Sequence, residues 1–197
     1  MKEIIIATHN NDKKSEMIYA LRNLKVKILS LDNFPEIGEI EESGSTLLEN
    51  SLIKSREVQR ITGIPAIADD TGLEVEFLNG APGVYSARYA GNNVSYQDNV
   101  RKLLYDLKGV EQKFRNAKFR TYISFCSSEN EFWVDGSIEG EITEKPLGEN
   151  GFGYDSVFLV KETGLTFGQM DKKDKDKISH RGLALKKMIS LLEQNIN

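Results

Sequence analysis

Two adjacent aspartates, Asp69 and Asp70, directly follow the short apolar segment 64–68. Two carboxylates at the end of a buried strand lose hydration and repel each other, so they require a cation, a shared proton or several donors nearby. Carboxylate oxygens without a cysteine cluster favour Mg²⁺ or Mn²⁺ over zinc, and strand ends in α/β sheets border ligand crevices. The pair therefore predicts a catalytic or metal-binding position, with a helix cap or a turn as the alternative.

A second candidate group lies where the apolar segment 3–8 runs into the polar sequence THNNDKK (8–14). A strand that passes straight into a helix presents unpaired backbone N–H groups, which can hold an anion. Thr8 and Asn10 add side-chain donors, and Lys13 adds positive charge. The Walker pattern is absent, so the turn predicts an anion-binding cradle of another kind. A capped helix with a solvated lysine is the alternative.

Asn50 and Lys54 are four residues apart and share one face of a predicted helix, with Glu41 and Glu42 just upstream. Solvated side chains are the ordinary interpretation of these four residues.

Two later segments carry aromatic and basic groups. In the loop GFGYD (151–155), Phe152 can stack on a flat ring, an interaction worth roughly 1–3 kcal/mol for a nucleobase; an aromatic plug beneath a glycine turn is the alternative. The segment KDKDKISHRG (173–182) places His180 and Arg181 at the start of the last predicted helix. There they can donate to keto oxygens or phosphates, and a solvated charge run is the alternative.

The elements that must position these residues alternate between strands and helices, which favours an α/β fold with a mixed sheet flanked by helices. Strands are predicted at 3–8, 26–34, 64–68, 73–77, 117–127, 131–142 and 156–160. Helices are predicted at 11–23, from Thr46 to the break at Gly63, from Ser95, and at 179–194, the last after a charged loop. No repeat or linker marks a boundary, so we expect one domain over 1–197, arranged as two lobes with a cleft between them.

Local signals support two of these helices in particular. Thr46 with Glu49, and Ser95 with Asp98, have the spacing of a capping box. The predicted apolar faces are Met17, Ile18, Leu21 and Leu24 on the first helix, and Leu48, Leu52, Val58 and Ile61 on the second.

Composition restricts the class of partner. The 197 residues carry a formal net charge of −4, so no global positive field favours nucleic acid or an anionic membrane. The apolar run 4–7 is too short for a signal peptide or a membrane span. The single cysteine, Cys126, excludes an intramolecular disulfide and fits a reducing compartment. We therefore expect a cytoplasmic protein in which Cys126 is a buried, inert thiol.

Taken together, five segments resemble the inosine triphosphate and xanthosine triphosphate pyrophosphatases, often called the Ham1-like family. They are ATHNNDKKSEM, EESGSTLLENSLIKSR, PAIADDTGLEVEFLNGAPGVYSARYAG, GENGFGYDSVF and KISHRGLALKKM, in that order. Each segment is weak by itself, but five in register over essentially the whole chain are highly specific.

The resemblance implies an elongated α/β fold with a central mixed sheet, a cleft between two lobes, and a homodimer. It implies Mg²⁺-dependent cleavage of a purine nucleoside triphosphate between the α and β phosphates, which yields the monophosphate and pyrophosphate. The family's preferred substrates are ITP, dITP and XTP, and its role is to remove them from the nucleotide pool.

The resemblance also assigns roles to residues. Its phosphate-binding turn corresponds to Thr8, His9, Asn10, Asn11, Asp12 and Lys13, with Lys54 as a second phosphate contact. Its metal-binding acids correspond to Glu42 and Asp70, and Asp70 also matches the proton acceptor. Thr71 matches a substrate contact that is often serine. The nucleoside-binding positions correspond to Phe152, Gly153, Tyr154, Asp155, Lys175, His180 and Arg181. The chain departs from the family at Ser156, where proline is common, and at His9, where glycine is frequent.

A mechanism consistent with these assignments has a water, aligned by the Asp69-Asp70 pair, attack the α-phosphorus in line while pyrophosphate leaves. Hypoxanthine and xanthine present a 6-keto acceptor where adenine presents an amino donor, so donors from Lys175, His180 or Arg181 would leave adenine badly paired. The argument does not separate these bases from guanine, whose O6 is also an acceptor.

Three alternatives remain open at this stage. A pyrophosphatase of other specificity, like the Maf proteins, would prefer UTP or dTTP. A non-catalytic nucleotide-binding regulator would bind without turnover, but Glu42, Asp69 and Asp70 argue against it. A nucleic-acid-binding module would use the 172–181 charge cluster and show a steep salt dependence, but the net acidity argues against it.

Overall fold

The computed structural model describes residues 2–195. Its strands are β1 (Glu3–Ile6), β2 (Lys27–Ser30), β3 (Ala66–Val75), β4 (Pro82–Gly83), β5 (Asn116–Cys126), β6 (Glu131–Ile142) and β7 (Phe158–Val160). Its helices are α1 (Asn11–Leu21), α2 (Leu47–Thr62), α3 (Tyr96–Asp106), α4 (Lys172–Ile178) and α5 (His180–Asn195). In the described part of the chain, no helix is long and apolar enough to cross a membrane.

The strands form one mixed sheet in the order β2-β1-β3-β5-β6-β7, with β4 paired to β3. Strand β1 runs parallel to β2 and to β3, as expected when a helix connects neighbouring strands. The pairs β3–β4 and β6–β7 are antiparallel. The predicted α/β class with a mixed sheet and flanking helices is confirmed.

Residue contacts group the chain into two compact units. Among the described residues, unit 1 consists of 2–70, Thr121–Gly136 and 181–195; unit 2 consists of Thr71–Arg120 and Ser137–His180. Unit 1 has two apolar clusters because successive side chains of a strand point to opposite faces. Ile4 and Ile6 of β1 pack with residues of α1 and α5, whereas Ile5 packs in the other cluster with Val58 of α2.

Unit 2 has its own apolar core, in which the rings of Phe119 and Phe158 have centroids 4.6 Å apart and those of Phe158 and Phe167 are 5.4 Å apart. Arg115 is also buried there. Its guanidinium donates to the carbonyl oxygens of Leu107 and Thr143, both at 2.8 Å. It therefore satisfies the carbonyl that follows the last turn of α3.

The predicted helix starts are confirmed. Thr46 and Glu49 form a reciprocal capping box at α2, and Ser95 and Asp98 form one at α3. Helix α2 ends at Gly63, whose φ of +69° lies in the left-handed region that glycine adopts without strain. These features depend on residues a few positions apart, so local sequence is sufficient to predict them.

The largest correction concerns β3, which runs without a break from Ala66 to Val75. The sequence predicted two strands that separate at Asp69 and Asp70. The strand continues because pairing within the sheet satisfies its backbone, and because cations from other elements match both carboxylates, as described below.

Other predictions were wrong in detail. The second strand ends at Ser30 rather than at 34, since a 3-10 turn follows it. Ile18 and Ile61 were expected on buried faces, yet they are 43% and 44% exposed. The charged loop before the last helix contains helix α4, because the Asp171 side chain accepts from the N–H of Asp174 and caps it.

Candidate active site

Asp69 and Asp70 lie in the interior of β3, and their side chains leave the strand on opposite faces. The packing of the preceding residues agrees with this alternation. Ile67 packs with Met17 of α1 and the α5 residues, whereas Ala68 packs with Val58 of α2. The nearest cations differ accordingly: Lys13 and Arg181 contact Asp69, whereas Lys54 contacts Asp70.

Asp69 is completely buried and faces two cations. Its Oδ2 atom accepts from Nε and Nη2 of Arg181, both at 3.1 Å, and lies 3.2 Å from Nζ of Lys13. Burial by itself would raise the pKa of Asp69, but the charges of Lys13, Arg181 and Lys54 outweigh it and hold that pKa well below its usual range. Asp69 is therefore ionised at neutral pH.

Arg181 bridges two acids. Its Nη1 atom donates to Oε2 of Glu16 at 2.6 Å, while its other nitrogens serve Asp69. Burial opposes its charge, yet Asp69 and Glu16 raise the pKa of Arg181 above an already high value. The guanidinium that was expected to donate to a nucleobase thus donates to carboxylates of unit 1. Burial also lowers the pKa of Lys13, with Asp69 opposing that effect.

Asp70 belongs to a separate group with Lys54 and Glu42. The Nζ atom of Lys54 lies 3.3 Å from Oδ1 of Asp70 and also donates to Oε1 of Glu42. Burial would lower the pKa of Lys54, but Asp70 and Glu42 raise it overall. Burial raises the pKa of Asp70, and its Oδ2 atom has no hydrogen-bond partner among the described residues.

The segment that carries Glu42 is fastened at two points. Oδ1 of Asn50, on α2, accepts from the N–H of Gly44 at 2.8 Å. A Cβ at Gly44 would lie 2.7 Å from that oxygen, so a larger residue would break the contact. The carbonyl of Gly38 lies 3.0 Å from Nε2 of His9. Asn50, which the sequence placed on the same face as Lys54, therefore supports Glu42.

The turn before α1 is a helix cap. Oδ1 of Asn10 accepts from the N–H groups of Asp12 and Lys13 at 3.0 and 3.1 Å, and Oγ1 of Thr8 accepts from the N–H of Asn10. These two N–H groups, which the cradle hypothesis assigned to an anion, already serve the cap. Asn11 and Asp12 lie exposed in the first turn of α1, so Lys13 is the cationic group that this turn contributes to the site.

In unit 2, the loop GFGYD closes on itself through Asp155. Its Oδ2 atom accepts from the N–H of Phe152 at 2.8 Å and from Nζ of Lys175 at 2.7 Å. The Lys175 ammonium lies 4.7 Å from the centroid of the Phe152 ring. The centroid of the Tyr96 ring lies 5.8 Å from the same Phe152 centroid. The predicted nucleoside-binding residues Phe152, Asp155 and Lys175 thus form one connected group.

Two other predicted residues of unit 2, Tyr154 and His180, are buried. Tyr154 is buried and donates through its hydroxyl to the carbonyl of Ser86 at 2.8 Å. His180 is buried and stacks on Phe119 with ring centroids 4.6 Å apart. Gly153 has a φ of +61°, and Thr71 follows Asp70 directly in β3.

The predicted residues therefore fall into two groups. Unit 1 contains the turn before α1, the acids Glu42, Asp69 and Asp70, and the cations Lys54 and Arg181. Unit 2 contains Thr71, the loop GFGYD, Lys175 and His180. The sequence analysis missed Glu16, although its position three residues after Lys13 places it on the same face of α1. Within residues 2–195, no group of three or more acidic, histidine or cysteine side chains forms a ready-made metal cage.

Known proteins resemble this chain over nearly its whole length. The model of the Ham1 family matches residues 4–191. The chain is 48% identical to the dITP/XTP pyrophosphatase of Bacillus licheniformis, over 98% of this chain and 100% of that protein. It matches the structure of a HAM1 protein from Coxiella burnetii with a TM-score of 0.90 at 40% identity, over 98% of this chain and 100% of the other. The Staphylococcus aureus Ham1 protein matches with a TM-score of 0.88 at 38% identity, over 98% and 99%.

Proposed function

The chain belongs to the Ham1 family, and from that premise we propose that it hydrolyses deaminated purine nucleoside triphosphates to the monophosphate and pyrophosphate. The relatives named dITP/XTP pyrophosphatase indicate dITP and XTP as substrates, with ITP as their close analogue. The observation that carries the proposal is the pair of buried carboxylates on β3, one in contact with Lys13 and Arg181 and the other with Lys54, which also contacts Glu42.

Lys13 and Lys54 supply positive charge for the triphosphate. The protein as a whole is acidic, so a polyanion must be held by local cations. Both ammonium groups form ion pairs with carboxylates: Lys13 pairs with Asp69, and Lys54 pairs with Asp70 and Glu42. This arrangement fixes the two charges in place before the substrate arrives, which reduces the reorganisation needed during the reaction.

Asp70 is the better of the two aspartates as a general base. Asp69 is engaged by Lys13 and by two nitrogens of Arg181, which lowers its pKa and makes its carboxylate a poor proton acceptor. Asp70 has a raised pKa and an oxygen, Oδ2, without a hydrogen-bond partner among the described residues. In the proposed step, Asp70 takes a proton from the attacking water, the water oxygen bonds to the α-phosphorus, and pyrophosphate leaves with the electron pair of the broken bond.

The residues around Asp70 also suit a divalent cation. The carboxylates of Asp70 and Glu42 are the hard oxygen donors that Mg²⁺ prefers, and Mg²⁺ often uses one or two carboxylates together with substrate phosphates. Glu42 and Asp70 would hold Mg²⁺, or Mn²⁺ in its place. When bound, the ion supplies neutralisation of the charge that develops on the phosphate oxygens. Lys54 keeps the two acids close together by contacting both.

Base recognition is assigned to unit 2. Phe152 offers an aromatic ring for stacking, and the Lys175 ammonium lies beside it. A donor that meets the 6-keto oxygen of hypoxanthine or xanthine would meet the amino group of adenine unfavourably, which gives strong discrimination at a buried site. Lys175 and His180 are the proposed donors, since the Arg181 guanidinium serves Asp69 and Glu16.

The decisive experiment measures pyrophosphate release from ITP, dITP, XTP, GTP, ATP and UTP at one fixed concentration, with Mg²⁺ and with EDTA. Metal-dependent release that favours ITP, dITP and XTP is the expected result. Equal rates on all six would refute the base selectivity, a preference for UTP would favour a pyrophosphatase of other specificity, and binding without release from any would favour a regulator.

Two further parts of the proposal concern the state of the protein. The resemblance to the family implies a homodimer, which light scattering coupled to size-exclusion chromatography would detect as twice the chain mass. A cytoplasmic location follows from the proposed substrates, and the buried free thiol of Cys126 fits it.

A further inference from the structure

Three serine side chains meet in the apolar interior of unit 1: Ser51 and Ser55 of α2 and Ser124 of β5. All three are fully buried. Oγ of Ser124 lies 2.8 Å from Oγ of Ser51 and 2.8 Å from Oγ of Ser55, and it also donates to the carbonyl of Ser51 at 2.8 Å. We call these residues the serine network.

The serine network joins the elements that carry the Asp70 group. Oγ of Ser51 donates to the carbonyl of Ala68, one residue before Asp69, at 3.1 Å. Ser55 directly follows Lys54 on α2, so any rotation of the helix that breaks the Ser55 contact also moves Lys54. The network therefore ties α2 to β3 and to β5 around the lysine.

Strand β5 also holds the backbone of Asp70, the carboxylate partner of Lys54. Oγ1 of Thr121, also fully buried, donates to the carbonyl of Asp70 at 2.9 Å. Through Ser124 and Thr121, the same strand is thus bonded both to the helix that carries Lys54 and to the backbone of Asp70. The relative position of the ammonium and the carboxylate is fixed by hydrogen bonds from a common support.

Stability by itself does not require hydroxyl groups at these positions. Replacing both partners of a buried hydrogen bond by apolar groups of the same shape is nearly neutral for stability. Hydrogen bonds differ from apolar contacts in being directional, so they select one rotation and one axial position of a helix where apolar packing tolerates several. A cluster of three buried hydroxyls beside a functional lysine is suited to positioning.

We propose that Ser51, Ser55 and Ser124 are positioning residues that hold Lys54 at the correct distance from Asp70 for turnover. The inference rests on the proposed function, because it assigns the network to the geometry of that reaction. A displacement of a functional group by 1 Å can cost about a hundredfold in rate. The network contacts no atom of the substrate in this scheme and acts only through α2.

The test compares Ser124→Ala, and the milder Ser55→Ala, with Thr62→Ala as the matched control. Thr62 lies on the same helix and its hydroxyl bonds to the carbonyl of Val58 at 2.8 Å, so it reports a general loss of helix stability. We expect Ser124→Ala to lower kcat on ITP about tenfold or more, with a smaller change in KM, and Thr62→Ala to keep the kcat of the unmodified protein.

A double-mutant cycle then separates positioning from simple loss of stability. In a Lys54→Ala background, Ser124→Ala should lower kcat no further, because the group it positions is gone. An equal fold loss in both backgrounds would overturn the proposal. An unchanged kcat in both Ser55→Ala and Ser124→Ala would also overturn it. If Ser124→Ala does not fold, the same double-mutant cycle with Ser55→Ala and Lys54→Ala decides the question.

A crystal structure of the same variant gives an answer that does not depend on activity. The Lys54 Nζ to Asp70 Oδ1 distance, 3.3 Å here, should lengthen in Ser124→Ala and stay unchanged in Thr62→Ala. An unchanged distance in Ser124→Ala would overturn the inference. If the unmodified protein releases no pyrophosphate from any nucleotide, the proposed function fails, and the positioning of Lys54 is still judged by this distance.

Discussion

Replacing Asp69 by asparagine tests whether the buried charges of unit 1 are matched as the structure indicates. The substitution keeps the shape of the side chain and removes its negative charge. Lys13 and Arg181, which lie 3.2 and 3.1 Å from Oδ2 of Asp69, would then have lost that carboxylate. Glu16 would still contact Arg181 at 2.6 Å, but it would face two buried cations.

The expected loss of stability is large. Breaking a buried ion pair by removing one partner costs roughly 3–5 kcal/mol, because the other charge stays buried without compensation. For a chain of this size, 1 kcal/mol corresponds to a shift of about 2–4 °C in Tm. We therefore expect Asp69→Asn to lower Tm by about 6–20 °C at pH 7.

The pH dependence gives a second, independent measure. Burial would raise the pKa of Asp69, but Lys13, Arg181 and Lys54 hold it well below its usual range. A carboxylate with a lowered pKa in the folded state stabilises the protein above its unfolded pKa of about 3.9, and that stabilisation is lost as the pH falls towards the folded pKa. The difference between the unmodified protein and Asp69→Asn should be constant from about pH 6 to 8 and shrink below about pH 4.

Thermal unfolding, and urea unfolding at ~25 °C, followed by circular dichroism between pH 3 and 8, measure both the loss of stability and its pH dependence. Asp32→Asn is the matched control, because Asp32 is 70% exposed and pairs with Lys14 at 2.6 Å on the surface, so its Tm should stay close to that of the unmodified protein. A Tm within about 2 °C of the unmodified protein for Asp69→Asn at pH 7, or a difference that grows on acidification, would refute the reasoning.

Three further predictions concern other positions. Asp70→Asn should lower kcat/KM on ITP at least about a hundredfold, and a full-rate variant would exclude Asp70 as the base. Since burial raises the pKa of Asp70, the unmodified enzyme should lose activity on acidification at a higher pH than an ordinary aspartate would cause. Tyr154→Phe removes the hydrogen bond to the Ser86 carbonyl and should cost about 1 kcal/mol, or about 2–4 °C in Tm by thermal unfolding, whereas an unchanged Tm would show that the bond contributes nothing. Gly151→Ala should raise KM for ITP in steady-state assays more than it lowers kcat, because a Cβ there would lie 2.0 Å from Oδ2 of Asp155 and the φ is +74°; an unchanged KM would separate this loop from substrate binding.

The parts of the fold that sequence predicted correctly depend on near neighbours. The capping boxes at Thr46 and Ser95, and the left-handed Gly63, involve residues within one or two turns of a helix. Helix α4 was missed although Asp171, three residues before Asp174, is a cap of the same local kind. The run of lysines favoured a solvated loop in the sequence-based interpretation.

The charge matching of β3 could not be predicted in the same way. Asp69 is matched by Lys13 and Arg181, which are 56 and 112 positions away along the chain. Without those partners in view, two adjacent aspartates indicate the end of a strand, since an uncompensated buried carboxylate is too costly to keep in its middle. The sequence therefore named Asp69, Lys13 and Arg181 as candidate site residues, but that these three contact one another required the three-dimensional structure.

Unit 1 is assembled from three separated stretches of sequence, and this has a consequence for the order in which its charges meet during synthesis. Lys13 and Asp69 leave the ribosome long before Arg181 is made. Until helix α5 docks, Glu16 and Asp69 lack the guanidinium that joins them, which disfavours burying both acids in a nascent chain. We therefore expect this unit to close only after its last segment has been translated, because burying either acid earlier would leave it without the Arg181 guanidinium.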